Sequence, residues 1–332
     1  MMVSDKQELR RCVKQAVRRA ELCEALLDFD VQDGEVGAQA LLDTWTTPAS
    51  RPGETLQRAT AEHTPFHPDA AAMFAALDAM NLSARDIDRA QQMILEYERP
   101  AYLREILDTM HALCVLVRVP LEKAARFDDD RLEPLLAADS RLFVPGRYGM
   151  DYAGAARRLA DCAQVCGARN LLMDRFDAQA LRYCLLPLCQ DNGYALHIQL
   201  RSREEIDQFV LLLDAFEGVR ALACAEASRE PALIDAAANR PRLLVSLRSL
   251  DHMERALGAL GTRFVPYSAR AKLPEQMLGR WVLARESIWQ ALANAYLPLA
   301  RSGYVLESTA IERDVRRLLS GNLLALCRPK AL

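Results

Sequence analysis

The sequence predicts an α/β fold, a closed (β/α)8 TIM barrel with a helical insertion after its first strand and extra helices at the C-terminal end. Three observations lead there. From about residue 113, seven short apolar runs alternate with amphipathic stretches of helical period, the pattern of right-handed βαβ units around a parallel sheet. An eighth run, at 22–31, precedes them, and eight β/α units suit a chain of 332 residues. A doubly wound open sheet is the alternative, but it usually carries G-x-G-x-x-G after its first strand, where this chain has DVQDGEVG.

The chain opens on a charged helix, MMVSDKQELRRCVKQAVRRAE, and the first strand follows, ending in LLDFDVQDG. Residues 34–112 form the insertion, with a Pro/Thr/Ser-rich loop, TTPASRPGET, and helices expected near 68–80, 83–97 and 99–112. The remaining strands are expected at LCVLVRV (113–119), RLFVPGRY (141–148), RNLLMDR (169–175), YALHIQLR (194–201), VRALACAE (219–226), RLLVSLRS (242–249) and TRFVPYSAR (262–270). Helices such as DYAGAARRLADCAQVCG and SREEIDQFVLLLDAFEG lie between them, the latter with Ile206, Phe209, Val210 and Leu213 on one face. A long helix over roughly 273–301 is followed by Gly303 and a final helix, with Thr309 and Glu312 spaced as a capping box. The chain thus divides into 1–33 (helix and first strand), 34–112 (insertion) and 113–332 (the rest of the barrel and the C-terminal helices).

Composition narrows the function. Half of the residues, 51%, are hydrophobic, enough for a large core, and 14 Gly with 6% aromatics fit a helix-rich protein. A net charge of −3 and no block of like charge give no reason to expect nucleic acid or an anionic membrane as partner. No run approaches the ~20 apolar residues of a membrane span. Nine scattered Cys without a C-x-x-C pair read as free thiols of a reducing cytosol, so a cytoplasmic protein is expected. A homo-oligomer is compatible with all of this.

In such barrels the chemistry sits at the C-terminal ends of the strands. The residues there are Asp28 and Asp30; Arg118; Arg147 and Tyr148; Asp174 and Arg175; Gln199 and Arg201; Glu226; Arg248; and Tyr267, Ser268, Arg270 and Lys272. Six of the eight expected strands end on or near an Arg, whose planar fork suits carboxylate or phosphate. One reading makes Arg118, Arg147, Arg175, Arg201, Arg248, Arg270, Tyr267 and Lys272 a site for a small anion. A second pairs the arginines with acids around the rim. A third makes the surface a docking site for a protein partner.

Metal and nucleophile signals are weak. Of the five His, His63 and His67 are separated by Pro65, His111 falls in a helix, His252 begins one, and His197 alone lies in a barrel strand, where a satisfied core histidine is expected. Asp28 and Asp30 would need further oxygens to hold a hard cation, and the surrounding arginines oppose one. There is no G-x-S-x-G, and neither Ser268 nor any Cys has an evident His partner.

The stretch GT-x-F-x-P at 261–266, then Glu275-Gln276, Trp281 five residues on and ESTAIERDV resembles the C-terminal part of the uronate isomerases, metal-dependent barrels of the amidohydrolase superfamily. LRYCLLPLCQDNGYAL and SRE (228–230) add to the resemblance, which covers about 170–325; over 1–170 it rests on the order of elements. The resemblance implies a divalent metal held by H-x-H at the end of strand one and an Asp after strand eight. Here those positions fall on Asp28-Phe29-Asp30 and on Arg270, and the Trp pair expected after strand seven is replaced by LRSLDH. A guanidinium cannot ligate a cation at ordinary pH. Its charge could instead meet Asp28 or Asp30 across the barrel axis.

The expected function is therefore a uronate-isomerase-like barrel with a degenerate, metal-free and cofactor-free site for a small acidic, sugar-acid-like ligand. Whether it is an enzyme stays open. One alternative retains aldose–ketose isomerisation, with Asp28, Asp30 or Glu226 as general base and Arg stabilising the enediolate. Another is a scaffold without catalysis.

Overall fold

The structure is a computed structural model that describes residues 2–3, 6–27, 68–82, 99–138, 140–143, 145–146, 149–271 and 274–328. Seven parallel strands form one sheet: β1 (Leu22–Leu27), β2 (Ala112–Val119), β3 (Leu132–Ala137), β4 (Asn170–Met173), β5 (Ala195–Leu200), β6 (Arg220–Ala225) and β7 (Leu243–Ser246), each hydrogen-bonded to the next in chain order. Their side chains alternate between two cores, as a two-residue period requires. Cys23, Cys114, Leu116, Leu135, Leu172 and Leu222 turn inward to one cluster, while the alternate residues face the surrounding helices. The C-terminal helix closes the lower end. Leu323, Leu326 and Cys327 enter the inner cluster, and Arg220 at the start of β6 donates to the carbonyls of Ala325 and Leu326.

Among the described residues, the eighth strand is paired through a single bridge. Val265 pairs with Ser246 beside β7, and its N–H donates to the carbonyl of Val245 at 2.8 Å. On the other side, a side chain makes the link to β1 that no described ladder makes. Glu24 in β1 accepts hydrogen bonds from Ser268 Oγ at 2.7 Å and from the N–H of Ala269 at 2.9 Å. The barrel is nearly closed, and a buried carboxylate completes the contact.

The described α-helices of six residues or more, in chain order, are α1 (Lys6–Arg19), α2 (Pro68–Ala79), α3 (Arg99–Met110), α4 (Tyr152–Cys166), α5 (Leu186–Asn192), α6 (Arg203–Asp214), α7 (Glu230–Ala237), α8 (Met253–Leu260), α9 (Pro274–Arg301), α10 (Ser308–Arg316) and α11 (Asn322–Cys327). Caps show why they start and stop where they do: Asp151 accepts from the N–H of Gly154 at the head of α4, and Ser202 from that of Glu205 at the head of α6. Ile206, Phe209, Val210 and Leu213 are buried together as their spacing predicts. Arg285 in α9 gathers the ends of α1 and α3, donating to the carbonyls of Val17, Arg18, Ala20 and Met110 at 2.6–3.0 Å. Burial brings its guanidinium down to about 10.

Three expectations need correction. Strand three is Leu132–Ala137, not 141–148; the latter stretch gives a 3-10 turn at Ser140–Phe143 and a two-residue hairpin strand at Pro145–Gly146. Pro134 hides the strand in the sequence, since proline cannot donate to a ladder. It is tolerated because pairing with β4 begins only at Leu135. The last helix starts at Ser308 without a capping box: Glu307 is the cap residue, with no side-chain cap bond, and Thr309 Oγ instead donates to Glu307 at 3.2 Å. His111 lies just past α3 with φ at 54°, not inside a helix. The helix expected at 83–97 lies outside the described residues.

Candidate anion site at the barrel mouth

Inward-facing positions at the C-terminal strand ends bring a small polar group together. Arg118 follows Cys114 and Leu116 on the inner face of β2 and pairs with Asp174, beyond β4, at 2.6 Å. Gln199 and Cys224 are the last residues but one of β5 and β6, and Arg248 continues the inner parity of Leu244 beyond β7. Arg270 comes from the strand-eight segment. Its guanidinium donates to Gln199 Oε1 at 3.2 Å and to Cys224 Sγ. The Cys224 thiol donates in turn to the carbonyl of Ile198 at 3.4 Å.

The electrostatics are those of two cations held close. Burial lowers the pKa of Arg248, and the charge of Arg270 lowers it further. Burial raises the pKa of Cys224, and the two guanidinium groups only partly oppose this. Among the described residues, neither Arg248 nor Arg270 has a carboxylate within ion-pair distance, whereas Arg118 does. The rim-pairing reading therefore describes Arg118 and leaves Arg248 and Arg270 as donors facing the mouth.

The other expected site residues are distributed more widely. Arg175 and Arg201 are exposed. Glu226 is exposed at the end of β6, near enough for its charge to act on Arg248. Tyr267 packs its ring edge-on against Trp281 of α9, 5.4 Å between centroids, on the helix side of the sheet. Asp28, Asp30, Arg147, Tyr148 and Lys272 lie outside the described residues, so the Asp28–Arg270 and Asp30–Arg270 pairings do too.

Two acids that sequence reasoning passed over stand behind this mouth. Glu24 is fully buried; besides Ser268 and Ala269 it accepts from Trp281 Nε1 at 2.6 Å and from the N–H of Leu26 at 3.0 Å. A lone acid inside the apolar run LCEALL is the signal that would have found it. Glu230, also fully buried, accepts from the N–H groups of Arg248 and of Ser249, the latter at 3.2 Å. An acid at the start of a helix is ordinary, so nothing in the sequence marks it.

His197 is a core histidine. It turns into the barrel with Ala195, is 3% exposed, and its Nε2 lies 3.2 Å from Asn170 Oδ1. Burial brings its pKa down to about 3. Between 6.5 and that value the unfolded chain binds a proton that the folded chain refuses, so stability falls as pH falls. A wild-type loss about 2 kcal/mol larger than that of His197→Gln is expected between pH 7 and pH 5 in urea unfolding. Equal losses in both proteins would count against this assignment.

These observations define a (β/α)8 barrel with an arginine-lined mouth at its C-terminal face. Its fold is that of the uronate isomerases. A uronate isomerase from Bacillus halodurans superposes with a TM-score of 0.83 at 15% identity over 97% of each chain. One from Thermotoga maritima gives 0.63 at 11% over 96% of this chain and 97% of its own. A glucuronate isomerase from Caulobacter crescentus gives 0.67 at 10% over 98% and 95%. No family model matches the sequence, and no curated protein does. No helix among the described residues is long and apolar enough to cross a membrane.

Two of the three positions that the family resemblance assigns to a divalent metal, Asp28 and Asp30, lie outside the described residues. The strand-eight position carries the guanidinium of Arg270, and no described group of three His, Cys, Asp or Glu could hold a metal ion.

Proposed function

We propose that the barrel mouth binds a small carboxylate-bearing, sugar-acid-like molecule without a divalent metal. The observation that carries this reading is the pair of half-buried guanidinium groups, Arg248 and Arg270, with no described carboxylate between them. Two like charges in a partly desolvated cleft repel, and an anion across both forks relieves that repulsion while forming charge-assisted hydrogen bonds. Gln199 and the Arg118–Asp174 pair supply neutral and mixed hydrogen-bonding groups for hydroxyls. The shared fold makes uronates the first compounds to try.

In a thermal-shift series with glucuronate, galacturonate and inorganic phosphate, a ligand at 100 times its Kd should add ~2.7 kcal/mol. Arg248→Met and Arg270→Met should each remove that gain. No response from any of the three anions, or stoichiometric zinc or manganese in the purified protein, would end this reading. The proximity of Glu226 to Arg248 also keeps a metal-free isomerase in view, with Glu226 as the base. Ketose formation from glucuronate that persists in chelator decides for it.

A further inference from the structure

We infer that Glu230 is a positioning residue for the anion site: it does not meet the ligand but sets the backbone from which Arg248 reaches the mouth. The inference rests on the anion-binding reading above. Glu230 opens α7, on the helix side of the barrel, and is fully buried. One oxygen, Oε1, accepts from two successive N–H groups, those of Arg248 and Ser249, where the chain leaves β7. A carboxylate spanning two adjacent amides fixes the peptide plane between them, and so the direction in which the Arg248 side chain sets out.

The remaining oxygen shows that this acid is not there for stability alone. Glu230 Oε2 is buried and has no hydrogen-bond partner among the described residues. A buried carboxylate oxygen left unserved is costly, so the two amides gain their acceptor at a penalty. Departures of this kind from the rules of a well-packed core gather at functional sites. Here the departure lies directly behind one of the two arginines with no described carboxylate partner.

The same device recurs at the other arginine. Glu24, equally buried, accepts from Ser268 Oγ and the N–H of Ala269, the two residues before Arg270. Arg280 holds the next peptide, the one that joins Ala269 to Arg270, donating to the carbonyl of Ala269 at 2.8 Å. Arg270 itself holds φ at 47°, a left-handed conformation that a residue with a Cβ keeps only where its surroundings impose it. Arg248 through its own N–H, and Arg270 through the two residues before it, are thus anchored by a buried acid on the helix side of the sheet, with both guanidinium groups turned toward the mouth.

Glucuronate binding by calorimetry and the Arg248 Nε–H signal in 15N NMR, in wild type, Glu230→Ala and Glu230→Gln, test this. Glu230→Ala should weaken glucuronate binding about tenfold or more, the scale of one charged hydrogen bond. It should also broaden or split the Arg248 signal. Glu230→Gln retains an oxygen for both amides and should keep a single sharp signal and affinity within a few-fold of wild type; a general loss of packing would not be restored this selectively. Wild-type affinity and an unchanged signal in a folded Glu230→Ala would overturn the inference. If Glu230→Ala does not fold, Glu230→Gln decides: a broadened Arg248 signal there overturns it, a sharp one upholds it. If wild type itself fails to bind glucuronate or phosphate, the anion-site reading falls, and the NMR comparison alone decides whether Glu230 sets Arg248.

Discussion

Glu24→Ala is expected to cost about 4 kcal/mol or more, because the substitution strands a set of buried donors at once. The N–H groups of Leu26 and Ala269 and the indole N–H of Trp281 all end on this carboxylate, and Ser268 Oγ joins them. The serine hydroxyl can rotate to another acceptor; the other three are fixed by backbone or ring. Each buried donor left unserved costs about 1–3 kcal/mol. The loss should be local as well as global, since Glu24 makes the described link between β1 and the strand-eight segment. Glu24→Gln should be much milder. Its oxygen can take Ala269 and Trp281, its amide N–H can serve Ser268, and only Leu26 loses its acceptor. The ionised form is itself held at a cost: burial outweighs the four hydrogen bonds and raises the pKa of Glu24 above the usual carboxylate range. An acid raised in the folded state stabilises fully below its unfolded value of about 4.5, and that contribution is lost as pH climbs through the folded value. Glu24→Gln should therefore lose less stability than wild type on going from pH 4.5 to 8. Urea unfolding monitored by tryptophan fluorescence reads both effects. A Glu24→Ala protein within 1 kcal/mol of wild type would show that the link is not made this way.

Alternation of apolar runs with helical stretches was enough to place six of the seven laddered strands, because a parallel strand buried on both faces is written as a continuous Val/Leu/Ala run. Strand three escaped because Glu133 and Pro134 break that signature. Glu133 is served by Arg328 at 2.5 Å from the far end of the chain, and Pro134 sits where the strand has only one neighbour. Both licences are tertiary. The candidate site was legible only as a set of strand-end positions. Reading the last residues of each strand finds Arg118, Arg248 and Arg270, but such a reading ignores parity. Asp174 and Arg175 are adjacent in sequence, yet Asp174 meets Arg118 while Arg175 is exposed. Tyr267 likewise lies beside strand-end residues in the chain and against α9 in space. The acids Glu24 and Glu230 work through backbone amides, and backbone partners leave no mark on the identity of the residues they hold.

Gly279→Val should displace α2 from α9. Gly279 lies in the buried face of α9 where the backbone of α2 crosses it: a Cβ built there would stand 1.8 Å from the carbonyl oxygen of Ala72 and 2.6 Å from its carbon. Ordinary overpacking costs about 1–3 kcal/mol because side chains change rotamer to admit the extra atoms. No rotamer relieves a clash between a Cβ and a main-chain carbonyl, so one helix must move, and a loss of about 3 kcal/mol or more is expected. The movement has a direction. Trp281 is two residues from Gly279 on the same helix, and its indole N–H ends on Glu24. Pushing α9 outward at Gly279 should draw that indole from the carboxylate and loosen the strand-eight segment with it. Hydrogen exchange separates the two outcomes. If α2 simply lifts off, faster exchange is confined to Pro68–Ala79. If α9 yields, the amide of Ala269 speeds up too, and glucuronate affinity falls with it because Arg270 is the next residue. Wild-type exchange at both places, with an unchanged melting temperature, would mean that the two backbones do not approach as closely as described.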